Sequence, residues 1–515
     1  MPIESDATSG RLGDVTLVRL VVGLEGEVDL QMKLVIRFDY GRLVPWVSRN
    51  DGELLAVGGS DLVVLRTPVA HEGRDLTTCA DFPVRAGEEI PFTLSRGASH
   101  RAAPAGIDAQ AALAQTERYW CEWAGRCNYE GEWRDNVVRS LITLKALTYA
   151  PTGGMVAAPT TSLPEQPGGN RNWDYRFCWL RDATFVLLSL MQAGYREEAD
   201  SWRAWLVRAV AGLPSQLQPI YNVLGDRRID EWCVPWLPGY DGATPVRIGN
   251  DAYSQLQLDT FGEVIDALHH ARRRDLPGGD TSWPLQRALL EHLETLLEST
   301  DRGIWEVRGP EQHFTYSKVM MWVAFDRAVS AVKNFGLEGS IEHWRTIRDR
   351  LHAEICDKAF DPELGSFVQA YGSKQLDAST LLIPHVGFLP PDDPRVRGTL
   401  AAIDKHLVRD GFVHRYDTRT TEDGLPPGEG VFLACTCWLA DNLVLQGRRA
   451  EARAIFERVL SVCNDVGLLA EEYDVAGRRQ LGNFPQGLSH LALIGTAYNL
   501  REPQGPAKER TKHRR

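Results

Sequence analysis

Residues 317 to 334 read SKVMMWVAFDRAVSAVKN, a stretch with helical periodicity and ordinary helix length. About a dozen such stretches follow one another between residue 105 and Leu500, separated by Gly- and Pro-rich loops. They include Ala111 to Arg126, Trp133 to Tyr149, Asp182 to Ala193, Tyr195 to Ala211, Tyr253 to Arg273, Trp283 to Glu298, Ser340 to Cys356, Gly430 to Gln446, Arg449 to Val462 and Pro485 to Asn499. No strand-helix alternation and no short repeat interrupts the series, so neither a doubly wound sheet nor a solenoid is expected. A double ring of inner and outer helices fits this number better than a four-helix bundle, with function on the loops at one end. Before Arg101 the pattern is different. VTLVRLVV (Val15 to Val22), VDLQMKLVIRF (Val28 to Phe38) and DLVVLRTPV (Asp61 to Val69) alternate apolar and polar residues, as antiparallel strands of a β-sandwich do. The predicted organisation is a β-sandwich over 1–105, a helical ring over 106–500 and a solvated basic tail over 501–515.

The 515 residues carry a formal net charge of −12, which gives no general attraction to phosphate backbones or anionic bilayers. Nucleic acid is not an expected partner. No run of eighteen apolar residues suggests a membrane span, and the opening MPIESDATSG has neither a basic n-region nor an apolar h-region, which points to the cytoplasm. Nine cysteines are an odd number, and several sit in apolar segments, so reduced core thiols are expected. Cys435 and Cys437 have no second Cys or His pair at zinc-site spacing, so no metal is expected.

Three loop segments combine aromatic rings with charged and amide groups, the mixture that sugar C–H faces and hydroxyls require. The first, Gly168 to Asp182, contains Trp173, Asp174, Tyr175, Arg176, Trp179, Arg181 and Asp182 directly before an apolar helix. Asp182 alone would read as a helix N-terminal anion, but the density of the segment favours a sugar-binding loop. The second, Asp301 to Arg308, places Glu306 after Trp305; an indole over a carboxyl desolvates it and raises its pKa, as a general acid needs. The third, Gly467 to Asp474, contains Glu471 and Glu472, and is followed by Asn483 and Pro485, read as N-cap and first-turn residues of the last helix. Each glutamate alone reads as an ordinary surface acid. Together they lie 165 residues apart, close to half of a twelve-helix ring, so in a closed ring they would face each other across its mouth. One carboxyl could then protonate a leaving oxygen while the other activates water, with inversion.

The motifs NRNWDYRFCWLRDA (170–183), PVRIGN (245–250), RGIWEVRG (302–309), FTYSKVMMWVAFDRA (314–328) and the stretch from GLLAEEYD to GNFPQGLSHLALI (467–494) resemble glycoside hydrolase family 15, in its bacterial trehalase and glucoamylase-like branch. The resemblance runs from about Val15 to Leu500. It implies an (α/α)6 barrel behind a β-sandwich and an inverting reaction, with Glu306 as general acid and Glu471, rather than Glu472, as general base. It further implies that Arg181 and Asp182 bind the terminal glucose, that Trp179, Trp305 and Arg247 form pocket wall, and that Arg415 joins them. It implies no metal and no organic cofactor. Members of this branch carry a longer sandwich, so the resemblance also implies that the N-terminal domain here is incomplete. The expected activity is release of glucose from an α-linked glucoside, trehalose first, with glucoamylase-like hydrolysis of α-1,4 or α-1,6 glucans as the alternative. A phosphorylase on a related barrel and a catalytically silent carbohydrate-binding protein are the readings from other classes.

Overall fold

The alternating stretches of the first hundred residues pair as expected from their period of two. The structure, a computed structural model, describes residues 1–3, 14–50, 52–276, 281–502 and 505–510. Strands β1 (Val15–Val22), β2 (Glu27–Leu34), β3 (Trp46–Asn50), β4 (Glu53–Gly58), β5 (Asp61–Arg66), β6 (Glu72–Arg74), β7 (Thr77–Arg85) and β8 (Glu89–Ala98) form two antiparallel sheets. Their orders are β1-β8-β5-β4-β3 and β2-β7-β6. Leu54, Ala56 and Leu65 of the larger sheet are buried against Met32 and Leu34 of the smaller, so the two sheets share one apolar core. Helix α1 (Ala109–Gly125) packs on β1. The first compact unit therefore runs to Arg126, beyond the boundary expected near residue 105.

The second unit, Cys127–Arg515, holds α2 (Arg134–Leu147), α3 (Ala183–Gln192), α4 (Arg196–Val210), α5 (Asp259–Arg273), α6 (Trp283–Thr295), α7 (Thr315–Phe335), α8 (Ile341–Lys358), α9 (Pro394–His406), α10 (Leu433–Leu445), α11 (Arg449–Leu460), α12 (Gly487–Arg501) and α13 (Pro506–Arg510). Helix α3 packs on α5, α5 on α7, α7 on the 3-10 turn Ala378–Leu382, that turn on α10, α10 on α12, and α12 on α3 again. Each member of this circuit also packs on a helix outside it: α4, α6, α8, α9, α11 and α2 respectively. Burial follows the two layers. Every residue of α5 except Arg273 is buried, whereas α8 buries only Trp344, Ile347, Leu351 and Ile355. A helix buried on all sides belongs inside a bundle, and one with a single apolar stripe belongs on its outside.

Three expectations change. The helix expected from Tyr253 starts at Asp259, because the Asn250 side chain caps a separate 3-10 turn at Asp251–Ser254. Helix α9 was not expected, although Asp393 caps it and Pro394 opens it. The tail expected to be solvated from residue 501 instead forms α13, and Arg510 is 2% exposed. Its guanidinium reaches Asp266 of α5 at 2.7 Å, where Arg327 of α7 also pairs at 2.7 Å. A carboxylate buried in the helical core needs such partners, which explains why a basic segment enters it. Residues 511–515 of the expected tail lie outside the described residues. No described helix is long and apolar enough to cross a membrane.

Arg510→Ala removes one partner of a buried ion cluster and is expected to lower stability by about 3 kcal/mol, read as a lower denaturation midpoint with unchanged slope.

Candidate active site

The loops that follow α2, α6, α9 and α11 converge on one pocket. Trp173, Tyr175, Arg181, Trp305, Glu306, Arg415 and Glu471 line it, joined by Asn250, Gln255, Arg308, Tyr416 and Asp423. Of the expected site residues, Trp179, Asp182 and Arg247 do not line this pocket but touch residues that do.

Glu306 lies in a tight turn in which its own N–H donates to the Gly303 carbonyl at 3.1 Å and the Val307 N–H to Arg302 at 3.2 Å. Gly303 is required there: its φ is +66°, and a Cβ would come within 2.8 Å of the Phe314 ring. Glu306 itself has φ +58°, a left-handed conformation that costs a non-glycine residue about 1 kcal/mol or more. From that turn the Glu306 side chain lines the pocket. The Trp179 indole N–H donates to Glu306 Oε1, and Arg181 Nη1 lies 3.8 Å from the same oxygen. Burial raises the Glu306 pKa, opposed by Arg181 and the Trp179 N–H. The expected indole beside the acid is thus Trp179; the Trp305 indole turns away and donates to Asp377 at 2.9 and 3.1 Å. Asp377 is 1% exposed and also accepts from Gln369 at 2.9 Å and the Ser379 N–H at 2.7 Å.

Glu471 precedes the short strand Glu472–Asp474, which pairs with Val431–Phe432 and Arg479–Leu481. Tyr175 Oη donates to Glu471 Oε2 at 2.8 Å. Glu472 is fully buried and accepts from the Gly430 N–H at 2.7 Å, so the two adjacent glutamates face different surroundings. A third carboxyl, Glu165, is 2% exposed, and oxygens of Glu165, Glu471 and Glu472 lie within 4.8 Å of one another. This is the one such group of three among the described residues whose spacing could hold a metal ion. Its other chemistry is proton sharing, because three buried carboxylates this close cannot all ionise. Burial first and Glu165 second push Glu471 up to about 8, while Tyr175, Arg415 and Arg181 oppose the rise. Glu472 is held well above the ordinary carboxylate range by burial and by Glu165 and Glu429. Of the three, Glu471 is the one that lines the pocket, where the Tyr175 hydroxyl, Arg415 and Arg181 favour its charged form.

Arg181 Nε and Asp182 Oδ1 are 3.0 Å apart at the start of α3, where Asp182 makes no capping bond. Arg415 forms two bonds to Glu429, at 3.0 and 2.7 Å, and its guanidinium lies 5.6 Å from the Trp305 ring. Arg247 is 7% exposed and stacks 4.8 Å over Trp173, bracing that ring. Asp174 and Arg176, part of the same dense segment as Arg181, pair with each other at 2.6 Å and serve the loop instead. Asn483 is not an N-cap: its amide donates to the Trp173 carbonyl at 2.8 Å, and Gln486 caps α12. Pro485, expected in the first turn, precedes the cap in a cis peptide bond, because the chain runs across to the Trp173 loop before the helix begins.

Glu165, Tyr175, Asp377 and Glu429 were not singled out from the sequence as site residues. Only Tyr175 carried a signal, its place in the dense aromatic segment. Asp377→Ala strands a buried indole donor and is expected to cost about 1–3 kcal/mol of stability, whereas Asp377→Asn, which keeps an acceptor, recovers most of it; calorimetric unfolding of both variants checks this.

Residues 131–498 match the model of glycosyl hydrolases family 15. A trehalase of Mycobacterium tuberculosis is 40% identical over 504 residues, spanning 94% of this chain and 73% of the relative. A trehalase of Thermoplasma volcanium is 34% identical over 497 residues, spanning 96% of this chain and 79% of the relative. Among solved structures, a bacterial glucoamylase complexed with acarbose shares the fold with a TM-score of 0.67 at 14% identity, over 89% of this chain and 75% of that one. The chain, whose pocket gathers buried carboxyls, guanidiniums and aromatic rings, belongs to glycosyl hydrolases family 15.

Proposed function

We propose that this glycoside hydrolase cleaves trehalose with inversion, Glu306 acting as general acid and Glu471 as general base. The observation that carries the reading is that these two glutamates, from loops with five helices between them in the chain, line one pocket. The trehalase relatives support the choice of substrate. The neutral Glu306 carboxyl gives its proton to the glycosidic oxygen as the bond to the anomeric carbon breaks. Positive charge then develops on the glucosyl ring. Glu471 takes a proton from a water that attacks the opposite face, so the attacked ring is released as β-glucose while the protonated leaving sugar departs as α-glucose. Tyr175 orients the base, and Arg181, paired with Asp182, holds hydroxyls of the terminal glucosyl unit against the Trp305 and Arg415 side of the pocket. Glucoamylase-like release of glucose from α-1,4 or α-1,6 glucans is the second reading, supported by the structural likeness to the acarbose-bound glucoamylase. The same residues would serve the first sugar in either case.

We read the circuit of inner helices with its outer partners as an (α/α)6 barrel within 106–500, and the two sheets within 1–105 as a β-sandwich. Nine cysteines without disulfides favour a reducing compartment such as the cytoplasm.

Glu306→Gln and Glu471→Gln are each expected to slow glucose release from trehalose by about 100-fold or more. NMR of the early wild-type reaction on trehalose should show α- and β-glucose in equal amounts, the β anomer from the attacked ring and the α anomer from the leaving sugar; α-glucose alone sinks the inverting mechanism. A base must be ionised to act, so kcat/KM rises with pH until Glu471 loses its proton. Glu165→Gln removes a neighbouring charge that opposes this ionisation. The acidic limb of the pH profile is expected to move to lower pH, measured as kcat/KM across pH 4 to 9.

A further inference from the structure

We infer that Arg308, clamped by Glu231 on the Trp173 ring, recognises the leaving sugar and so selects among α-glucosides. The inference rests on the reading of Glu306 as the acid, because residues beyond the proton donor on the side of the departing oxygen meet the leaving group.

Arg308 is two residues past Glu306 and lines the same pocket. Its backbone is fixed: the Arg308 and Gly309 N–H groups donate to the Asp423 carbonyl at 2.8 and 2.9 Å. A Cβ on Gly309 would come within 2.1 Å of the Glu422 carbonyl oxygen, so the two chains meet with no room between them. The guanidinium lies 4.5 Å from the Trp173 ring and pairs with Glu231 Oε2 at 2.5 Å. Arg247 stacks on the same ring at 4.8 Å and approaches the other oxygen of Glu231 at 3.3 Å. Trp173 and Glu231 are therefore each held by two guanidiniums. Arg247 is spent on structure, since its Nη1 also donates to the Asn170 and Asn172 carbonyls at 2.8 and 3.0 Å.

Arg308 is placed differently. Its side chain is 30% exposed, against 8% for Arg247 and 13% for Arg181. Among the described residues its side chain makes one hydrogen bond, to Glu231, which leaves further N–H donors of the fork for a ligand. A rigid aromatic ring beside a fixed guanidinium suits a neutral hexose, whose C–H face packs on the ring while a hydroxyl accepts from the fork. The ring orientation offered by a 1,1-linkage differs from that of a 1,4- or 1,6-linkage. A clamp without slack can therefore discriminate between them.

The test compares two leaving groups on the full chain. α-Glucosyl fluoride presents the first sugar and a leaving atom with no ring; trehalose, maltose and isomaltose add a second sugar. Arg308→Ala is expected to lose about 10- to 100-fold in kcat/KM on whichever disaccharide the wild type prefers and less than about threefold on the fluoride. Arg308→Lys, which keeps charge without the fork, should fall between, and Glu231→Gln, which loosens the clamp, should narrow the preference among the three disaccharides. Equal losses on fluoride and disaccharide, or no loss on either, overturn the assignment. Wild-type enzyme that prefers maltose or isomaltose overturns the proposed substrate while the Arg308 comparison stands on that disaccharide. Wild-type enzyme that cleaves the fluoride and none of the three overturns both.

Discussion

Arg171, fully buried, and Arg415, in the pocket wall, stand among five carboxyls: Glu165, Asp423, Glu429, Glu471 and Glu472. Arg171 pairs with Asp423 at 2.6 Å and Glu429 at 3.1 Å, while Arg415 takes Glu429 in a two-pronged bond. Removing one partner from such a buried network leaves an unpaired charge, a loss of about 3–5 kcal/mol. The pairs therefore join two distant stretches, the loop before Trp173 and the loop from Arg415 to Glu429, and the Gly430 N–H bond to Glu472 ties the strand at Glu472 to the second. Guanidiniums are fewer than acids here, so neighbouring carboxyls oppose one another's ionisation. The same imbalance raises Glu471 above the ordinary carboxylate range, so the charge network that shapes the pocket also tunes the group proposed as its base.

The acid side is organised by sterics more than by charge. Glu306 keeps a left-handed backbone because the turn on which it sits is held by Gly303 against Phe314 and by the Gln255 amide, which donates to the Glu306 carbonyl at 3.2 Å. One wall is pinned in turn: Trp305 is hydrogen-bonded to Asp377, which caps the short turn that takes the place of a helix in the inner circuit. A strained carboxyl on a rigid support loses little freedom on meeting its substrate, which is how preorganisation favours a transition state.

The helical layers hold polar groups as well as apolar ones. Asp266 in the inner layer is balanced by Arg327 and by Arg510 from the end of the chain. Burial of that carboxylate explains why the last described residues leave solvent, and why composition alone misread them as a tail.

Periodicity in the sequence was enough to locate eleven of the thirteen helices among the described residues and the strands at Val15, Glu27 and Asp61, because helix and strand periods are local properties of adjacent residues. A local mixture of rings and charges drew attention to Arg181, Asp182 and Glu306, spacing along the ring drew it to Glu471, and Arg415 came only from the family resemblance. Asp377, Glu165, Glu429 and Glu231 carried no such mark. An aspartate or glutamate in a loop reads as a solvated acid until its partner is known, and their partners lie between 14 and 306 positions away. Arg247 and Trp179 were assigned to the wall, and only the fold shows that one braces Trp173 and the other donates to Glu306. The sequence by itself determined the helical and sheet elements and the residue types of the pocket. Tertiary structure decided which acids lie together, which indole serves Glu306 and which arginines are taken up by partners, because pairing across the buried interior depends on distances that no local pattern encodes.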